Sequence, residues 1–342
     1  MEKKIESYQA HTQTGTLLNA NECSNNLNGT LMNEIKDAIE QVSFNRYPDN
    51  DQTELLEAYA KVIGVSKDNL LAGNGSDQML GLMIGTFLSK GKSLYTFDPD
   101  FSMYDYYASS YEADIKKFTL NDDGTLDIDA FINEGKKENV DLVMFSNPNN
   151  PTGNCLSLEE IKKILNGFKD IPVVVDEAYI EFADEDSSIN LIDEYDNLYV
   201  TRTLSKAYSL AGLRVGFLVS NIKNMELMKK RAVVYALNSL SMKVATIVLS
   251  HSKEFLEEAD HTRLRRNTMY EKVKNYKNVY FWKSQANFLH GRSDNKQKLL
   301  ALFKEKGIVI RDYSGKDTFR ITIGTEEENE EVLEVLQEFE EE

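Results

Sequence analysis

The segment Ile171-Pro-Val-Val-Val-Asp176 restricts the fold more than any other part of the chain. Consecutive β-branched residues make a strand buried on both faces, a property of parallel sheets covered by helices. Similar short apolar runs occupy 93–97, 142–145, 198–201 and 215–219, and helical periodicity fills the gaps near 129–137, 157–168 and 187–195. Strands joined through helices imply parallel crossover connections, and so an α/β layered fold.

Outside this core the pattern changes. Residues 31–42 and 51–63 read as amphipathic helices on either side of the turn Arg46-Tyr47-Pro48-Asp49, and Gly73-Asn-Gly75-Ser76-Asp77 opens an apolar helix running to about Leu88. A long polar helix, or two, extends from about 223 to 275. Strands are expected at 278–282, 287–290, 308–311 and 318–323, with helices at 295–306 and 326–340. The last helix gathers Val332, Val335, Leu336 and Phe339 on one face and acids on the other. For 342 residues two domains are the prior. The expected division is a large domain over 30–258 and a small one built from 1–29 and 259–342.

Composition removes whole classes of function. The 39 basic and 56 acidic side chains give a net charge of −17, which opposes non-specific binding to nucleic acid or anionic membrane. Ten of the acids fall within 326–342, so much of that charge is the solvated face of one helix. Cys23 and Cys155 make no disulfide framework, and four scattered histidines offer no zinc-binding spacing. The first residues lack the apolar core of a secretory signal, and no apolar run nears the ~20 residues of a membrane span. A cytoplasmic protein without a metal site is expected.

The chemistry collects where strands end. Asp176 closes the 172–175 strand, with Tyr179 three residues on; in open α/β sheets ligands bind beyond the carboxyl ends of strands. By position alone Asp176 is a helix cap, a metal ligand or a cofactor contact. The 198–201 strand runs into Thr203-Leu-Ser205-Lys206, followed by Ala211-Gly-Leu-Arg214-Val-Gly216. The 142–145 strand runs into Ser146-Asn-Pro-Asn-Asn150-Pro-Thr-Gly153. Three strand ends therefore offer Asn150, Asp176 with Tyr179, and Lys206 with Arg214.

The stretches SNPNNPTG, VVVDEAYIEF and TRTLSKAYSLAGLRVG resemble the pyridoxal-phosphate aminotransferases of fold type I. Four more blocks, Leu18-Asn-Ala-Asn21-Glu22, Arg46-Tyr47-Pro48-Asp49, GNGSDQ and IVIRDYSGKDTFRITIGT, are similar to the histidinol-phosphate branch of that family. The resemblance implies a large domain with a mainly parallel central sheet covered by helices, and a smaller α+β domain. It makes Lys206 the lysine that joins the cofactor aldehyde and later moves protons, a role suited to an amine nucleophile. Asp176 would keep the ring nitrogen protonated, since a nearby carboxylate favours the charged form. Tyr179 and Asn150 would donate to the ring's phenolic oxygen, and Tyr104 would stack on the ring. Gly75, Ser76 and Asp77 at a helix start, with Thr203, Ser205 and Arg214, would hold the phosphate. Tyr47 would reach the phosphate from a second subunit, making the protein a homodimer.

Substrate recognition is implied for Tyr8, Asn21, Arg311 and Arg320. An arginine inside the apolar strand Phe319-Arg320-Ile-Thr-Ile is costly without an anionic partner, which independently favours a binding role. The expected reaction is transamination between L-histidinol phosphate and 2-oxoglutarate. An aromatic or broad aminotransferase, a phosphothreonine decarboxylase and a non-catalytic cofactor-binding regulator are the alternatives. The stretch 231–239 departs from the family pattern, and Arg311 and Arg320 lie only nine positions apart.

Overall fold

The computed structural model describes residues 14–341. Tyr8 falls outside them. Among the described residues the first six strands are β1 (Thr16–Leu18), β2 (Leu70–Asn74), β3 (Ser93–Asp98), β4 (Asp114–Thr119), β5 (Leu142–Ser146) and β6 (Val173–Asp176). The other six are β7 (Leu198–Thr203), β8 (Val215–Val219), β9 (Tyr280–Phe281), β10 (Phe288–Arg292), β11 (Ile308–Asp312) and β12 (Thr318–Thr322).

They form two sheets. The larger has the order β2-β8-β7-β6-β5-β3-β4, and the smaller the order β1-β11-β12-β10-β9. In the larger sheet β7, β6, β5, β3 and β4 pair in parallel, while β8 runs antiparallel to both β7 and β2. Six strands therefore point the same way, and their carboxyl ends share one edge with the start of β8. Val173, Val174 and Val175 are fully buried at the centre, as a strand covered on both faces requires. The smaller sheet is mostly antiparallel, with β1 adding a parallel edge to β11. It has its own core, including Leu289, Phe303, Phe319, Ile321, Val332, Val335 and Phe339. Among the described residues no helix is long and apolar enough to cross a membrane.

Most expected elements are present, with instructive exceptions. The helix expected near 187–195 is a short 3-10 turn, Ser188–Leu191. The buried carboxylate of Glu177 accepts the Ser187 hydroxyl and the Ser188 N–H, both at 2.6 Å, and pins the segment in a turn. The long polar helix is three helices, Ile222–Lys229, Ser239–Ser250 and Ser252–Val273. Asn238 caps the second by accepting the Ser241 N–H at 2.8 Å, which restarts the helix after the atypical 231–239 stretch. Strands β1, β2 and β4 and the helix Met103–Ser110 are additional to the sequence reading.

Candidate active site

A cavity of about 300 Å³ opens at the shared strand edge, between the two sheets. The large sheet supplies Ser76, Asp77, Asp100, Phe101, Asn150, Asp176, Tyr179, Thr203, Ser205, Lys206 and Arg214 to its wall, and the small sheet supplies Arg311, Tyr313 and Arg320.

At the base lies Asp176, the last residue of β6. Its Oδ2 accepts the Tyr104 hydroxyl at 2.9 Å and its Oδ1 accepts the Thr201 hydroxyl at 2.7 Å. Burial pushes its pKa up to about 6, while these two donors pull it back toward the charged form. The carboxylate is thus aimed and ionisable near neutral pH. It caps no helix.

Lys206 follows β7. Its Nζ donates to the Ala20 carbonyl at 2.9 Å and lies 6.0 Å from the Tyr179 ring centre. Burial, and then the charge of Arg320, lowers its pKa to about 8. A lysine in this state supplies a useful fraction of neutral, nucleophilic amine close to physiological pH.

Tyr179 is orientated by two amides. Asn21 Nδ2 donates to its oxygen at 2.9 Å, and Asn150 Nδ2 does so at 3.4 Å. The Asn150 amide can face only one way, because its Oδ1 accepts from Arg320, and a guanidinium has no acceptor to offer in return. With both oxygen lone pairs engaged, the Tyr179 hydroxyl hydrogen remains to be donated. Tyr179 lines the cavity, so the acceptor it suits is a ligand atom there.

The opposite end is built around β2 and β8. Gly75 has φ +81 and its N–H bonds the Arg214 carbonyl at 2.8 Å, bringing the start of helix Ser76–Phe87 against the start of β8. A side chain at Gly216 would come within 2.1 Å of the Ser76 nitrogen, so that close approach needs a glycine. Ser76, Thr203, Ser205 and Arg214 then converge with a helix N-terminus, a donor set matched to a phosphate. The side chain of Asp77 is not a phosphate ligand. Its carboxylate accepts from Arg214 Nη2 at 2.7 Å and aims that guanidinium, so Asp77 can offer a phosphate only its backbone N–H.

Two other expected placements are corrected. Tyr104 is fully buried and does not line the cavity, because its hydroxyl is drawn to Asp176; Phe101, edge-on to it at 5.6 Å, is the aromatic on the wall. Asn21 is also fully buried and acts on Tyr179 rather than facing the cavity. Tyr47 is 82% exposed, stacked on Tyr235 with ring centres 4.8 Å apart, and is not brought to the site within this chain.

One cavity acid escaped the sequence reading. Asp100 accepts the Phe101 N–H at 2.7 Å, the Ser146 N–H at 3.2 Å and the Ser146 hydroxyl, tying the Phe101 turn to the end of β5. Burial pushes its pKa up to about 8. The signal that would have found it is the strand-end rule applied to β3.

The model of the aminotransferase class I and II family matches residues 13–336. The chain belongs to that family. Among curated aminotransferases, the histidinol-phosphate aminotransferase of Clostridium kluyveri is 36% identical over 319 residues, 92% of this chain and 90% of that protein. The histidinol-phosphate aminotransferase of Pyrococcus furiosus is 36% identical over 332 residues, 95% of this chain and 92% of that one. Among solved structures, the histidinol-phosphate aminotransferase from Clostridium acetobutylicum superposes with a TM-score of 0.85 over 95% of this chain and 99% of its own, at 22% identity.

Pyridoxal phosphate, the cofactor of these aminotransferases, fits the residues present. The cavity has a donor set for its phosphate, a carboxylate at the base for its ring nitrogen, a phenol with a hydrogen to give and a neutral-leaning lysine.

Proposed function

We propose that this aminotransferase transfers the amino group of L-histidinol phosphate to 2-oxoglutarate, giving imidazole-acetol phosphate and L-glutamate. The observation that carries the reading is the pairing of Arg311 and Arg320 as direct neighbours on β11 and β12, both in the cavity with Lys206. Histidinol phosphate has a distal phosphate and no α-carboxylate, whereas glutamate has two carboxylates. Two guanidinium forks in one cavity accommodate either anion pattern, since each binds carboxylate or phosphate in a bidentate manner. The similarity to curated histidinol-phosphate aminotransferases supports the same choice.

When bound, pyridoxal phosphate supplies an electrophilic carbon for the amine and an electron sink for the carbon it leaves. The residues of this chain do the rest. Lys206 Nζ would hold the cofactor and, as an amine of lowered pKa, would take up and give back the proton that the reaction moves. Asp176 would keep the ring nitrogen protonated, and Tyr179 with Asn150 would donate to the phenolic oxygen. Phe101 would support the ring, and Ser76, Thr203, Ser205 and Arg214 would hold the phosphate. Arg320 takes the α-carboxylate of glutamate, while Arg311 takes the distal anion of either donor, together with Tyr8 from the segment outside the described residues.

The working unit in this reading is a homodimer. Phe44, Tyr47, Val233, Val234 and Tyr235 are all exposed, an apolar group of the kind that marks an interface. Tyr47 then reaches the phosphate of the neighbouring subunit. The two bodies of each subunit divide near residue 258, and the enzyme works in the cytoplasm.

A panel of half-reactions on the purified, cofactor-loaded enzyme tests the assignment. Histidinol phosphate and glutamate are expected to convert the aldehyde form fastest, ahead of phenylalanine and tyrosine. A faster aromatic donor transfers the protein to the aromatic branch. Carbon dioxide released from phosphothreonine makes it a decarboxylase.

A further inference from the structure

An acid on the wall of an anion-binding cavity needs a reason to be there, and Asp100 is the one whose reason the reaction does not supply. Asp77 aims Arg214, and Asp176 suits the ring nitrogen. The hydrogen-bond partners of Asp100, among the described residues, are all neutral. Its Oδ1 accepts the Phe101 N–H at 2.7 Å and the Ser146 hydroxyl. Its Oδ2 accepts the Ser146 N–H at 3.2 Å and lies 3.5 Å from the Thr96 hydroxyl.

The direction of these bonds is fixed by Ser146. Its Oγ accepts the Asn150 N–H at 2.9 Å and the Asn149 side-chain amide at 3.5 Å, so both lone pairs are used and its one hydrogen must be donated. That hydrogen goes to Asp100 Oδ1. One directed chain therefore runs from the Asn150 N–H through the Ser146 hydroxyl to Asp100 Oδ1, where the Phe101 N–H also arrives. Both of its ends belong to cavity residues: Asn150, whose amide donates to Tyr179 at 3.4 Å, and Phe101, the aromatic on the wall. Ser146 and Asn150 are buried, which shelters the chain from competing water. Burial pushes the pKa of Asp100 to about 8, so a proton is largely held near pH 7. It belongs on Oδ2, because Oδ1 already takes two donors, and the chain persists in either charge state.

We propose that Asp100 is a positioning residue that joins two cofactor-facing groups into one unit: through Ser146 it sets Asn150, and through the same oxygen it sets the Phe101 turn. This rests on the cofactor placement given above. The support of the ring face and the donors to the phenolic oxygen are then adjusted together, although they stand on loops after different strands, β3 and β5. What the unit needs from Asp100 is an acceptor oxygen in one place, not a charge. Donors to the phenolic oxygen draw off its negative charge, so the cofactor nitrogen bound to Lys206 holds its proton less tightly. The pH midpoint of the cofactor's absorbance change consequently reports whether Asn150 is in place.

Absorbance titrations and visible circular dichroism of the cofactor-loaded enzyme test the chain link by link. Asp100→Ala removes the shared acceptor; it should raise the midpoint by about half a unit or more and weaken the dichroism of the cofactor band. Ser146→Ala cuts only the arm to Asn150, so it should raise the midpoint by a similar amount and leave the dichroism closer to that of the parent. Asp100→Asn keeps Oδ1 and places an amide where the protonated Oδ2 stood; its midpoint should stay within about 0.2 unit of the parent. If Asp100→Ala does not fold, the other two variants decide. An unmoved midpoint in Ser146→Ala overturns the proposal, as does one in Asp100→Ala that merely melts earlier, since Asp100 then only holds its own turn. An Asp100→Asn midpoint displaced as far as that of Ser146→Ala overturns it too, because charge is then what matters. A parent enzyme whose cofactor band does not respond to pH overturns the placement of Tyr179 and Asn150 on the phenolic oxygen, and this proposal with it.

Discussion

The two walls of the cavity solve opposite problems. On the large-sheet wall each functional group is tied down by hydrogen bonds from or to neighbouring side chains: Asp176 by Tyr104 and Thr201, Arg214 by Asp77, and Tyr179 by Asn21 and Asn150. On the small-sheet wall each guanidinium also meets an aromatic ring, a softer and less directional support. Arg311 sits over the Tyr313 ring, and Arg320 lies 5.1 Å from the Phe288 ring centre while bonding Asn150 and the Asn19 carbonyl. In the proposed reading the first wall serves one cofactor throughout the cycle, and the second takes one donor and then another of different shape. Directional bonds suit the constant partner, and adaptable contacts suit the changing ones.

The contrast is broken most severely at Lys206. Lys206→Ala should lower turnover by about 10⁴-fold or more, because it removes both the covalent anchor and the proton carrier. Borohydride reduction and peptide mapping of the parent enzyme should find the cofactor on Lys206, and a label on another lysine would refute the assignment. Asp176→Asn comes next. It keeps the shape and loses the charge, so the cofactor should remain bound while the half-reaction rate falls by about 10²- to 10⁴-fold, each ~1.4 kcal/mol being a factor of ten. Near-parental rates would reduce Asp176 to a structural acid.

Substitutions on the softer wall should discriminate between substrates rather than abolish chemistry. Arg320→Lys keeps the charge and loses the fork. Single-turnover measurements should show glutamate weakened about ten- to hundredfold, the value of a charged hydrogen bond, and histidinol phosphate much less. Equal losses would place Arg320 on the rigid side of the comparison. Tyr47 belongs to neither wall of its own chain. Mixing Tyr47→Phe with Lys206→Ala subunits should restore activity above that of either parent, because one site of the heterodimer then carries no lesion. Absence of recovery would return Tyr47 to its own subunit.

The smallest effect concerns pH. The Tyr104 hydroxyl stabilises the charged form of Asp176, whose pKa of about 6 already lies above the ordinary carboxylate value. Tyr104→Phe should raise it further, so that Asp176 is less ionised at pH 6–7 and the acid limb of the rate profile moves up by about one unit. An unmoved limb would show that Thr201 alone holds the carboxylate.

The parts of this design that were legible in the sequence are those where one physical demand acts on adjacent residues. Val173–Val175 spelled a doubly covered strand, and the polar residues after β5, β6 and β7 fell at the cavity because strand ends are where such sheets bind ligands. Strand β4 was hidden because Asp-Ile-Lys-Lys-Phe-Thr is largely exposed at the sheet edge and has no run of buried residues to betray it. Tyr104 and Asn21 were assigned to the ligand because local sequence does not reveal which neighbour a side chain turns to. Both turn inward to bonds made across 72 and 158 residues of sequence. Asp100 went unnoticed because the strand-end argument was applied after β5, β6 and β7 and not after β3, which ends at Asp98.

The register pairing of Arg311 with Arg320 has a consequence for ancestry as well as for chemistry. In the proposed reading both guanidiniums that meet the substrate, and Tyr313 between them in sequence, are encoded in one hairpin of β11 and β12. Lys206 follows β7 and Asp176 ends β6, both of the other sheet. Arg320 also fixes the Asn150 amide and lowers the Lys206 pKa, so within this short stretch Arg311 is the position where change can alter what the enzyme accepts without touching how it reacts. A descendant with a new diet inherits the old catalyst intact.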